Sequence, residues 1–212
     1  MEDIILKKVR ETVENHGMLK GVKRLLIAFS SGPDSVALLD ILHRLYGQRL
    51  KIYIAYINHQ LRKAAKNEER MTKAYAHRYR VGYRIFRIDL KKIHMKEGLE
   101  SAARELRYKN LICLAKGVGA QRIALAHNGD DFLETFILNL TRGGGVLGLS
   151  GMPPVRAKFI RPLMAVRKTE ILNYLKKHHL KYSFDRTNLS MRFRRNYIRK
   201  EIVPKLVAVN PN

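Results

Sequence analysis

Tryptophan is absent from the 212 residues, which decides nothing, but cysteine occurs only once, which excludes a good deal. A lone Cys113 forms no intramolecular disulfide and no Cys-x-x-Cys metal or redox site. In Leu111-Ile112-Cys113-Leu114-Ala115 it reads as a small hydrophobe on a buried helical face. No run of about 18 apolar residues is present to span a bilayer, and no signal peptide is recognisable. Internal repeats and low-complexity tracts are missing as well. These absences point to a cytoplasmic chain with no membrane partner. Acidic residues are scarce too: 18 Asp and Glu face 42 Lys and Arg, a formal net charge of +24. Such a field attracts polyanions, and nucleic acid is the expected partner. The competing reading is a merely solvated, highly soluble surface.

What is present is an ordinary globular core, with 46% hydrophobic residues, enough for one sizeable domain. Short strand-like runs alternate with longer helical stretches. Strands are expected at 25–29, 52–57, 83–88 and 123–126, and helices at 3–16, 36–46, 66–80, 99–116 and 130–141. This β-α-β-α succession predicts an α/β fold, a mainly parallel twisted sheet with helices on both faces. After residue 142 the texture changes. Gly143, Gly144, Gly145, Gly148 and Gly151 cluster before Pro153-Pro154, a specially folded loop. A short strand near 155–160, a helix near 168–178 and a basic tail at 186–200 follow.

Two constellations carry chemistry. Ser30-Ser31-Gly32-Pro33-Asp34-Ser35 joins a buried strand to an amphipathic helix, where unpartnered N–H groups favour anions. Gly32 permits close approach and the serines add hydroxyl donors. Asp34 would repel phosphate unless a divalent cation lay between them. The same residues would also serve as a plain helix N-cap. The second constellation is His127-Asn128-Gly129-Asp130-Asp131-Phe132-Leu133-Glu134-Thr135, at the end of the fourth strand and the start of the next helix. Asp131 and Glu134 are three apart and share a helix face. With Asp34 they are candidates to hold Mg²⁺, although acidic residues there also stabilise the helix dipole.

The hexapeptide resembles the SGGxDS loop of the PP-loop ATP pyrophosphatases. Further segments follow in one family's order: Asn58-His59-Gln60-Leu61-Arg62, the run from Glu100 to Tyr108, Ala126 through Thr135, and Thr141 through Met152. Arg161-Pro162-Leu163, Asp185 with Asn188, and Arg195-Asn196-Tyr197-Ile198-Arg199 complete the series. Over nearly the whole chain it is similar to the tRNA(Ile)-lysidine synthetases. That resemblance implies ATP and Mg²⁺ as cofactors, and as partners free L-lysine and tRNA(Ile) with a CAU anticodon. ATP adenylates the C2 oxygen of the wobble cytidine, pyrophosphate leaves, and lysine then displaces AMP to form lysidine. Ser30, Ser31, Gly32, Pro33, Asp34 and Ser35 would bind ATP, and Asp34, Arg107, His127, Asp131 and Glu134 would serve catalysis. Asn58, His59, Arg62, Arg142, Arg195 and Arg199 would meet tRNA.

Two departures from the family pattern stand out. Ser31 replaces the loop's usual first glycine, which restricts the backbone if φ must be positive. The chain is expected to be one catalytic domain over 1–212, with 143–212 a Gly-rich loop and basic extension and the family's usual C-terminal tRNA-binding region absent or truncated. A homodimer is compatible with the reading. The alternatives are another PP-loop tRNA-modifying enzyme, for which Cys113 alone is inadequate as a thiolase centre, or a non-catalytic RNA-binding protein.

Overall fold

The run Leu25-Leu26-Ile27 shows no polar alternation, as befits a strand covered on both faces. It forms the centre of β1 (Arg24–Ala28), and all three side chains are fully buried. A computed structural model describes residues 3–58, 65–87, 99–145, 151–183 and 194–209. The order is α1 (Ile4–Asn15), β1, α2 (Pro33–Tyr46), β2 (Lys51–Asn58), α3 (Ala65–Tyr79), β3 (Gly82–Arg87), α4 (Leu99–Val118), β4 (Arg122–Ala124) and α5 (Gly129–Thr141). Then come β5 (Val155–Arg156), β6 (Phe159–Ile160) and α6 (Lys168–Lys177). The last described part is α7 (Arg194–Tyr197), a π-helical turn (Ile198–Ile202) and α8 (Val203–Val209).

The strands lie in the order β3-β2-β1-β4-β6-β5, and only β5 runs antiparallel to its neighbour. Helices cover both faces, the predicted α/β architecture. Leu25, Ile27 and Phe29 join Ile52 and Ile54 in a core shared with α1, α2, α3 and α6. Leu26 points the other way, into a cluster with Ala55, Ile123, Leu125 and Phe159 beneath Leu111 and Ala115 of α4. The buried Asp40 of α2 accepts from the hydroxyls of Tyr79 in α3 and Tyr174 in α6, and pairs with Arg44. One carboxylate thus ties three helices together.

The sheet order creates the site. From β1 the chain moves outward to β2 and β3, then returns to place β4 on the other flank of β1. At such a switch point the crevice beyond the carboxyl ends of the two strands is left open for a ligand.

Several expectations shift. Cys113 is exposed, because α4 buries Leu111 and Ala115 and turns Ile112 and Cys113 outward. The first strand-to-helix loop is shorter than expected: α2 begins at Pro33, whose missing N–H and fixed φ suit the first helical position. The strand near 155–160 is a hairpin of two short strands turning at Ala157 (φ 51°) and Lys158. The basic tail is helical from Arg194 onward. His59, Arg62, Val146 through Ser150 (with Gly148), Asp185 and Asn188 lie outside the described residues.

Candidate active site

The loop from β1 to α2 is closed by its own serines. Ser35 Oγ donates to the Gly32 carbonyl at 2.9 Å and accepts from the Ser30 N–H at 3.2 Å. Gly32 is the N-cap and makes no side-chain cap, so the first-turn amides of α2 are left to face an anion. Ser31 has a φ of 60°, the left-handed conformation that the usual glycine adopts without penalty. The strain, roughly 1–2 kcal/mol, is offset by fixed partners. The buried Ser31 hydroxyl donates to the Glu68 carbonyl at 3.1 Å, and its carbonyl accepts from the Ser183 N–H at 2.8 Å.

Asp34 projects from this loop toward two elements far away in sequence. Lys168 Nζ, at the start of α6, lies 2.6 Å from both its oxygens, and the Asn128 amide donates to it at 3.1 Å. The Lys168 backbone N–H is itself capped by Asp130 at 2.6 Å. Asp130 therefore acts on the helix in front of it as well as on its own.

Asn128 and Asp131 form a capping box at the start of α5. Each side chain accepts from the other's backbone N–H at 3.0 Å. Glu134, one turn on, is buried. Its Oε1 accepts from Arg199 Nε at 2.5 Å, while Oε2 has no partner among the described residues. Burial raises the Glu134 pKa, and the Arg199 charge opposes that rise without cancelling it. Arg199 also approaches Asp131 at 3.8 Å, and Arg195 donates to Thr135 Oγ1 at 3.2 Å. Both arginines expected to meet tRNA thus also contact α5.

His127 sits between the end of β4 and this cap. Burial first, and then the charges of Arg161, Arg104, Arg195 and Arg107, push its pKa down to about 3.

A family profile described as a PP-loop domain matches residues 1–206. The chain belongs to the PP-loop domain family. Among curated proteins, a tRNA(Ile)-lysidine synthase of Geobacter sulfurreducens is 42% identical over 99% of this chain and 45% of its own length. The bifunctional protein TilS/HprT of Listeria monocytogenes is 35% identical over 97% of this chain and 33% of its own length. The PP-loop chain thus spans less than half the length of these relatives. Among solved structures, the U34-tRNA thiolase NcsA of Methanococcus maripaludis superposes with a TM-score of 0.81 at 19% identity. The match covers 98% of this chain and 73% of that one, and shows a shared fold.

The PP-loop residues, Asp34, His127, Asp131 and Glu134 therefore gather at one sheet edge, as the sequence suggested. Asp34, Asp131 and Glu134 share that edge, and each also has partners within the protein. Among the described residues no three His, Cys, Asp or Glu side chains converge on a metal position. Asp34 is engaged by Lys168 and Asn128, Asp131 by the capping box and Arg199, and Glu134 by Arg199, so the three carboxylates share one network of cations and amides. Asn58 is buried, and its amide donates to Glu69 at 2.8 Å. Arg142 closes the far end of α5, roughly 21 Å from its cap at 1.5 Å per residue. Arg107 is exposed on α4. Sequence reasoning overlooked Lys168 altogether and assigned Arg161 no role. The only local signals were a basic residue at a helix start and an arginine before a proline.

Proposed function

We propose that this PP-loop domain carries the chemistry that joins lysine to C2 of the wobble cytidine in CAU-anticodon tRNA(Ile), forming lysidine in the cytoplasm. The observation behind this reading is Glu134: a buried carboxylate beside a phosphate loop, with one oxygen on a cation and the other unpartnered among the described residues. Such a group suits an incoming primary amine. The curated relatives named tRNA(Ile)-lysidine synthase support the substrate class.

In the first step the cytosine O2 attacks the α-phosphorus of ATP, the bond to the bridging oxygen breaks and pyrophosphate leaves. In the second, the lysine ε-amine attacks C2, the C2–O bond breaks and AMP departs with the oxygen. The amine must shed a proton, and Glu134, whose raised pKa makes it a better base, accepts it. Asp131 helps to orient the amine. The loop from Ser30 to Ser35 holds the phosphates, and Lys168 supplies positive charge beside Asp34. Asp34 is a hard, partly exposed carboxylate that suits Mg²⁺ held mainly by nucleotide phosphates; the ion would neutralise charge on the leaving pyrophosphate. Arg107 approaches the activated base. The net charge of +24, with Asn58, His59, Arg62, Arg142, Arg195 and Arg199 as candidate contacts, serves the tRNA backbone. A thiolase reading has little support: Cys113, on α4, is the single cysteine of these residues.

The test incubates the protein with ATP, Mg²⁺, labelled lysine and CAU-anticodon tRNA, and follows lysine bound to RNA together with pyrophosphate release. Lysine transfer is expected. Binding of tRNA with no pyrophosphate release and no transfer, while a full-length relative works in parallel, would replace this reading with that of an RNA-binding module.

A further inference from the structure

Arg161 follows β6 and is 3% exposed, yet none of the roles assigned above uses it. A buried guanidinium is costly unless its N–H groups find acceptors. Nη1 donates to the Pro153 carbonyl at 2.7 Å, and Nε donates to His127 Nδ1 at 3.3 Å. Its backbone N–H donates to the Pro154 carbonyl at 2.9 Å, which fixes the position of the side chain's root. Guanidinium has donors and no acceptor. The imidazole nitrogen facing it must therefore be the one without hydrogen, and the ring proton must sit on Nε2.

We propose that Arg161 is a positioning residue that holds His127 as its Nε2–H tautomer, so that the ring donates a hydrogen bond to an anionic oxygen of the bound nucleotide. The inference rests on reading the crevice as an ATP site. Four cations act on the ring: Arg161 itself, Arg104 and Arg107 from α4, and Arg195 from α7. Tyr108, also on α4, interacts favourably with the Arg161 charge. Burial and these cations keep the imidazole neutral at any pH at which the enzyme would work. His127 then does not shuttle protons. It is a fixed dipole beside oxygens that gain negative charge as the α–β phosphate bond breaks, an arrangement in which a preset donor stabilises the transition state. Without Arg161 the proton is free to sit on Nδ1, and the donor disappears.

The experiment observes the imidazole nitrogens by ¹⁵N NMR in the whole chain labelled at histidine, with His127→Gln identifying the resonance. The expected result is a protonated Nε2, a bare Nδ1, and no titration above about pH 5, given a pKa near 3. In Arg161→Gln the tautomers should mix and the ring should titrate at higher pH, while Arg161→Lys, which still offers a donor, should restore much of the parent pattern. Pyrophosphate release in Arg161→Gln should fall about 10- to 100-fold, as with other residues that orient a working imidazole. It should also gain an acid limb, since a protonated ring is a different donor. A parent spectrum with hydrogen on Nδ1, or an unchanged tautomer in Arg161→Gln, would overturn the proposal. The spectrum needs no substrate, so absence of lysine transfer would refute the function while leaving the Arg161 assignment standing.

Discussion

Lys168→Met should barely disturb the fold and should cripple adenylation. The ammonium lies 2.6 Å from both oxygens of Asp34, but the two side chains are 32% and 27% exposed. A pair that open to water contributes about 0.2–1 kcal/mol to stability. Methionine keeps most of the apolar stem, Asn128 still donates to Asp34, and Asp130 still caps the Lys168 backbone N–H. The proposed adenylation depends on the charge itself. A hydrogen bond to a charged group is worth about 1.5–3 kcal/mol, which at about 1.4 kcal/mol per decade corresponds to a loss of roughly 10- to 150-fold. Urea denaturation gives the first quantity, and the rate of pyrophosphate release from ATP with CAU-anticodon tRNA gives the second. Lys168→Arg, which keeps the charge with a different reach, should fall between. The reasoning fails if Lys168→Met loses several kcal/mol of stability while the folded fraction releases pyrophosphate at the parent rate. Lys168 would then be a strut.

Ser31→Gly should lie within about 1 kcal/mol of the parent, since relief of roughly 1–2 kcal/mol of strain offsets a lost hydrogen bond and the freedom of unfolded glycine. Ser31→Ala keeps the strain and loses the bond, so it should cost about 1 kcal/mol; an alanine variant more stable than the glycine variant in urea contradicts this. Glu134→Gln should raise the KM for lysine about tenfold or more and leave lysine-independent pyrophosphate release nearly intact, and an unchanged KM would remove Glu134 from the amine site. The Arg87 guanidinium, with help from the Asn58 amide, holds the Glu69 pKa at about 2 against an ordinary 4.5. A depressed carboxylate stabilises the fold above its unfolded pKa and loses that contribution as the pH falls toward 2, so Glu69→Gln should flatten the stability profile between pH 4.5 and 2. Superimposable profiles for parent and variant would rule out that linkage.

Much of the architecture was legible because it is written in short-range pattern. The apolar runs at Leu25–Ile27 and Ile52–Ile57 mark strands buried on both faces, and their alternation with helices dictates a parallel sheet. Pattern failed where one turn of helix decides exposure, as at Cys113, and where a tight turn splits an apolar stretch, as at Ala157.

By itself the sequence determined the α/β class, the phosphate loop at Ser30–Ser35 and the acidic helix start at Asp131 and Glu134, since these depend on neighbours in the chain. Only the tertiary structure decided what each polar group faces. Asp34 meets Asn128 across 94 positions and Lys168 across 134, while Glu134 meets Arg199 across 65. Those partners come together because β4 returns to the flank of β1, and no local periodicity encodes that return. The same folding linked Asp34, Asp131 and Glu134 through the shared partners Asn128 and Arg199. It also set a buried arginine against His127, and through that contact decided which ring nitrogen carries the proton.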